Sequence, residues 1–131
     1  MNNNNHSTTR VLVVDDEPRI LKFVSLSLSA YGFEVLSASD GEEALRISAS
    51  ENPDLMILDV FMPGLDGFGV LQRLRDRELN TGSRQLPVIV FSARSSVSEQ
   101  ALSQGANDFI LKPFLPADLA RKVESIIKRT H

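Results

Sequence analysis

The sequence predicts an α/β fold: a doubly wound, five-stranded parallel sheet with helices on both faces. Three observations predict it. Apolar runs without polar alternation recur along the chain, as Val11-Leu12-Val13-Val14, Leu55-Met56-Ile57-Leu58, Val88-Ile89-Val90-Phe91 and Phe109-Ile110-Leu111. Such runs read as strands buried on both faces, the signature of a parallel sheet. Segments with helical spacing of apolar residues separate them. The pattern makes five βα units without a repeat, and right-handed crossovers then wind the sheet in both directions.

The first strand falls at about residues 10–14. The first helix opens at Pro18, where a missing N–H costs nothing. Its apolar residues Ile20, Leu21, Val24 and Leu28 keep helical spacing, and Gly32 ends it in the C′ position. The second strand is about 33–37. Asp40 caps a second helix over about 41–50, which buries Ala44, Leu45 and Ile47. Pro53 introduces the third strand. Met62-Pro63-Gly64-Leu65 is a turn, and Asp66 caps a third helix with Phe68, Leu71 and Leu74 inward. After a loop at Thr81-Gly82-Ser83 come a fourth strand at 87–91 and a fourth helix at about 96–104, ending at Gly105. The fifth strand is 107–111. The fifth helix begins near Pro116 and carries Leu119, Val123, Ile126 and Ile127.

The 131 residues suffice for one domain with a sizeable core. Residues 1–8 form an Asn-rich polar tract with nothing to bury, and we expect that tail to be disordered, with the domain over 9–129. A net charge of −3 argues against nucleic-acid contact by this domain. Cysteine is absent, which excludes disulfides and thiolate sites and fits a cytoplasmic location. No apolar stretch approaches the roughly 20 residues of a membrane helix, and no signal peptide opens the chain, so no membrane partner is expected.

Polar residues collect where the apolar runs stop. Asp15 and Asp16 follow the first strand, Asp59 the third, Ser92 the fourth and Lys112 the fifth. Open parallel sheets bind ligands beyond the carboxyl ends of their strands, so these five residues converge on one edge. Three gathered carboxylates resist joint ionisation unless a cation is present. An all-oxygen cluster with open positions suits magnesium. A hydroxyl and an ammonium beside it suit a phosphoryl group.

Four strings, in order and at the right strand ends, carry a resemblance. They are Val13-Val14-Asp15-Asp16-Glu17-Pro18, the ten residues from Leu58 to Gly67, Phe91-Ser92-Ala93, and the ten residues from Gly105 to Phe114. Over residues 9–129 the chain resembles the receiver domain of bacterial two-component response regulators. The resemblance implies the flavodoxin-like, CheY-like (βα)5 fold and a phosphoacceptor role for Asp59. It implies a sensor histidine kinase or histidine phosphotransfer protein as donor. Asp15, Asp16, Asp59 and the backbone carbonyl of Phe61 would hold Mg2+. Lys112 and Ser92 would bind phosphoryl oxygens. Ser92 and Phe109 would form the switch, and the bond from Lys112 to Pro113 would be cis.

Blander readings stand beside these. Asp59 can cap a turn, although Asp66 already fills that role. Asp16 before Glu17-Pro18 is also a helix-start signature. Ser92 suits a cap of the fourth helix as well as a phosphate oxygen. Phe109 fits plain core packing, and a lone lysine is usually solvated. Phe61 and Arg94 overhang the site, either shielding it from in-line water or standing free in solvent.

The leading functional expectation is a signalling switch that turns over no external substrate and acts through its fourth helix, fifth strand and fifth helix on a downstream protein or fused effector. The alternative is a phosphorylation-independent pseudo-receiver that binds proteins. A small flavodoxin-like or phosphatase-like enzyme fits less well. No glycine-rich loop follows the first strand, and Phe61 stands where the phosphatase pattern needs a second Asp. The sequence reads as a stand-alone receiver or as a piece of a longer regulator.

Overall fold

The computed structural model describes residues 8–130. The disordered-tail expectation for 1–8 therefore lies outside the described residues, Thr8 apart. The elements are β1 (Arg10–Val14), α1 (Pro18–Ala30), β2 (Glu34–Ala38), α2 (Gly41–Glu51), β3 (Leu55–Asp59), α3 (Gly67–Thr81), β4 (Val88–Ser92), α4 (Ser98–Ser103), β5 (Asp108–Leu111) and α5 (Pro116–Thr130). All strand pairs are parallel and the order is β2-β1-β3-β4-β5. The chain reverses its direction of winding between β1 and β3, and a crevice opens there beyond the strand ends.

Strand alternation sorts the core into two layers. Val11, Val13, Leu55, Ile57, Ile89 and Phe91 face α1 and α5, meeting Val24, Leu28, Leu119, Val123 and Ile126. Leu12, Val14, Met56, Leu58, Val88 and Val90 face the other helices, meeting Ala44, Val70, Leu71, Leu74 and Ala101. The helix signals act as expected. Asp40 Oδ1 accepts from the Glu43 N–H at 2.8 Å, and Asp66 Oδ1 from the Gly69 N–H at 2.9 Å. Gly32, at φ +90°, closes α1 with the Phe33 N–H donating to the Leu28 carbonyl.

The main departure is the fourth helix. Instead of 96–104, a 3-10 turn at Ser95–Val97 leads into six residues of α4. Ser95, Ser96 and Ser98 compete locally for backbone hydrogen bonds, and Ala101 is the one buried residue of α4. The second strand starts and ends one residue later than expected, β4 runs on to Ser92, and Thr81 belongs to α3.

Candidate functional site

β1 and β3 are adjacent, with Val14 opposite Leu58. The residues that follow, Asp15 and Asp59, are therefore carried side by side into the crevice. Both are buried, while Asp16 is exposed. Carboxylate oxygens of Asp15, Asp16 and Asp59 lie within 4.8 Å of one another. The Val60–Phe61 peptide is held by Gly67, whose N–H donates to the Val60 carbonyl at 2.8 Å. A Cβ at position 67 would stand 2.3 Å from the Asp59 carbonyl oxygen, so only glycine lets α3 start this close to the nucleophile candidate. In the sequence Gly67 stands only as the last residue of the string from Leu58 to Gly67, with no positioning role assigned to it.

Lys112 answers part of the charge. Its Nζ lies 3.2 Å from Asp15 Oδ2 and 3.2 Å from Asp59 Oδ1. It also sits 4.4 Å from the centre of the buried Phe91 ring. The Lys112–Pro113 bond is cis, as the resemblance implies. The Lys112 N–H donates to the Ser92 carbonyl at 2.8 Å, which ties β5 to β4 at the site.

One ammonium between two buried carboxylates leaves the cluster short of positive charge. Burial pushes the Asp59 carboxyl up to about 6, and the charge of Asp15 adds to the rise. The charge and hydrogen bond of Lys112 oppose it, and Asp16 contributes a smaller upward push. The donor set is all oxygen, and the exposed side of Asp16 leaves room for water ligands. These residues fit a hard divalent cation such as magnesium. Phe61 lines the same cleft, where its backbone carbonyl is the fourth proposed donor.

Ser92 is buried as the last residue of β4 and does not cap the fourth helix. Its Oγ accepts from the Arg94 N–H at 3.1 Å. Asp15 and Asp16 do not cap α1 with their side chains, although Asp15 Oδ1 accepts from the Glu17 N–H. Phe61 and Arg94 are not free side chains. The guanidinium lies 4.6 Å from the Phe61 ring centre, a cation–π contact at the rim of the cleft. The cleft has a volume of about 260 Å³ and is lined by Asp15, Asp16, Asp59, Phe61, Ser92, Arg94 and Lys112. Phe109 stands apart from it, half-buried against the core beneath α4.

A larger groove, about 500 Å³, lies at the opposite ends of the strands beside Pro53 and Pro87. Arg77 on its wall is spent on the Leu45 carbonyl and Ser48 Oγ, and none of the acidic cluster reaches it. The acidic cluster, Ser92 and Lys112 line the smaller cleft instead.

A family model described as the response regulator receiver domain matches residues 11–124. The probable transcriptional regulator ycf27 of Porphyridium aerugineum is 43% identical over 122 residues, covering 92% of this chain and 48% of that protein. The transcriptional regulatory protein PrrA of Mycobacterium tuberculosis is 42% identical over 125 residues, covering 94% and 52%. The solved receiver domain of the Francisella response regulator 1452 superposes with a TM-score of 0.84 at 33% identity, covering 95% of this chain and 100% of that one. Chemotaxis protein CheY4 of Vibrio cholerae gives 0.81 at 28% identity, covering 92% and 99%. The chain spans about half the length of the curated relatives it matches.

Proposed function

The chain belongs to the response regulator receiver domain family, and on that premise we propose that it is a phosphoacceptor switch of a two-component phosphorelay. The observation that supports this best is the Asp59 carboxylate, buried at the end of β3 beside two further aspartates and 3.2 Å from the Lys112 ammonium.

In the proposed reaction an Asp59 carboxylate oxygen forms a bond to phosphorus while the bond from phosphorus to the donor's histidine nitrogen breaks. The released imidazole takes the electron pair and a proton, and an acyl phosphate remains on Asp59. Little push is needed from the nucleophile, because phosphoryl transfer relies on positioning and charge stabilisation. Burial keeps Asp59 poorly hydrated, and Gly67 fixes the chain just beyond it. Lys112 turns from the carboxylates toward the new phosphoryl oxygens as a point charge. Ser92 donates its hydroxyl to another. Asp15 and Asp16, with Asp59 and the Phe61 carbonyl, would hold a divalent cation. A bound magnesium would supply charge neutralisation for the transfer.

The donor we propose is a sensor histidine kinase or histidine phosphotransfer protein. The chain catalyses only its own phosphorylation and dephosphorylation. Ser92 leaves its place as it meets phosphate, Phe109 turns inward, and the face of α4, β5 and α5 shifts toward an effector. In a protein as long as the relatives, that effector is the remaining half, and any DNA contact resides there. Among the described residues no helix is long and apolar enough to cross a membrane, and we place the switch in the cytoplasm.

Acetyl phosphate with magnesium tests the reading by intact-mass measurement. Wild type takes up one phosphoryl group per chain, and Asp59→Asn takes up none while keeping its circular dichroism. Full labelling of the Asn variant refutes the assignment, and an unlabelled wild type favours a phosphorylation-independent binding module.

A further inference from the structure

The two ends of α4 are held very differently. At its C-terminal end Gly105, at φ +107°, reverses the chain, and the Ala106 N–H donates to the Ala101 carbonyl. The Gly105 carbonyl then accepts two N–H groups from Arg75 of α3, Nε at 3.1 Å and a terminal nitrogen at 2.9 Å. The other terminal nitrogen of Arg75 meets Glu78 Oε1 at 2.8 Å, and Glu78 Oε2 accepts from the Leu86 N–H at 2.8 Å. Both side chains are nearly buried, at 11% and 7% exposure. Asn107 completes the clamp with two 2.8 Å bonds to the Val88 backbone, one donated by its N–H and one accepted by its side chain.

Among the described residues the N-terminal end meets no such clamp. The 3-10 turn has no side-chain cap, and its Val97 N–H reaches the Arg94 carbonyl at a long 3.4 Å. The hydrogen bond leading into that turn runs from the Arg94 N–H to Ser92 Oγ. A Ser92 hydroxyl drawn elsewhere releases Arg94, and with it the start of the turn.

We propose that Arg75 is a positioning residue that makes Gly105 a fixed pivot, so that α4 swings from its Ser95–Val97 end when the Asp59 site is occupied. The proposal rests on the phosphoacceptor reading. Lysine keeps the charge opposite Glu78 but cannot offer two parallel N–H groups to one carbonyl. Arg75→Lys therefore separates the fork from the ion pair.

The test is amide exchange and NMR shifts of the whole chain with magnesium, with and without beryllofluoride, for wild type and Arg75→Lys. In wild type, beryllofluoride shifts the amides from Ser92 to Val97, while exchange at Gly105, Ala106 and Asn107 changes by less than about twofold. In Arg75→Lys those three amides exchange about tenfold faster, and beryllofluoride shifts them too. Wild-type Gly105 responding as strongly as Val97 overturns the pivot alone, as does an Arg75→Lys profile matching wild type. Beryllofluoride without effect around Asp59 and Ser92 removes the phosphoacceptor reading and the pivot with it. If Arg75→Lys fails to fold, the wild-type contrast between Val97 and Gly105 decides.

Discussion

Asp59 and Glu78 are both buried acids, at opposite ends of the sheet, and they are treated in opposite ways. Glu78 has one oxygen on the Arg75 guanidinium and the other on the Leu86 N–H, each at 2.8 Å. Asp59 shares a single ammonium with Asp15 at 3.2 Å and faces a third aspartate nearby. A carboxylate with its lone pairs matched is an anchor. One packed among like charges with too few donors is held for a ligand. The fold is thus firm at the Glu78 end and electrostatically strained at the Asp59 end.

Neutralising the two acids should change stability in opposite directions. Glu78→Gln places an amide against Arg75 and leaves a buried charge unmatched, and we expect a loss of roughly 3 kcal/mol in urea unfolding. Asp59→Asn removes the repelled charge, and without metal at neutral pH we expect a gain of roughly 2 kcal/mol. An Asn variant less stable than wild type contradicts a crowded site.

The pH dependence sharpens the same contrast. Asp59 sits at about 6 when folded against an ordinary 3.8. Between those values the folded state binds more protons than the unfolded one, so the Asp59 contribution to stability falls as pH rises and levels off above. In EDTA, the gap between Asp59→Asn and wild type should open from about pH 4 to 6 and stay open above. Magnesium should narrow it by mass action as its concentration passes the dissociation constant. A gap that is constant with pH, measured by urea titration, refutes the assignment of the strain to Asp59.

Much of the Asp59 end is legible in the sequence, because an apolar run that stops at a carboxylate marks both a strand and its functional edge. Asp15, Asp59, Ser92 and Lys112 come together for that reason. The Glu78 end is not legible. Arg75 and Glu78 are three apart on α3, a spacing that solvated surface pairs share and that carries no signal of burial. What buries them is the return of Leu86 and Gly105 from distant parts of the chain. The fourth helix is overread for a related reason, since its Ser-rich start carries little helical signal and only Ala101 is buried. Gly67 is invisible because the clash it avoids is with a backbone atom eight residues earlier.

The smallest expected effect concerns the rim. Phe61 cannot orient water, and Arg94, stacked on it, can pair with a phosphoryl oxygen. Phe61→Asn with Arg94→Glu should shorten the lifetime of the phosphorylated form by a few-fold, roughly 1 kcal/mol of barrier. Decay after donor removal at fixed magnesium measures it, and a double variant decaying at the parental rate or slower shows that these side chains do not gate the water.

The most direct measurement locates the phosphoryl group chemically in the unmodified sequence. Borohydride reduces an acyl phosphate to an alcohol, so treatment of the acetyl phosphate-labelled protein leaves homoserine at the phosphorylated aspartate. Tandem mass spectrometry should find homoserine at position 59, and only when magnesium was present during labelling. Homoserine at position 15 or 16 instead, or at no position in a labelled chain, contradicts the central claim that Asp59 is the phosphoacceptor.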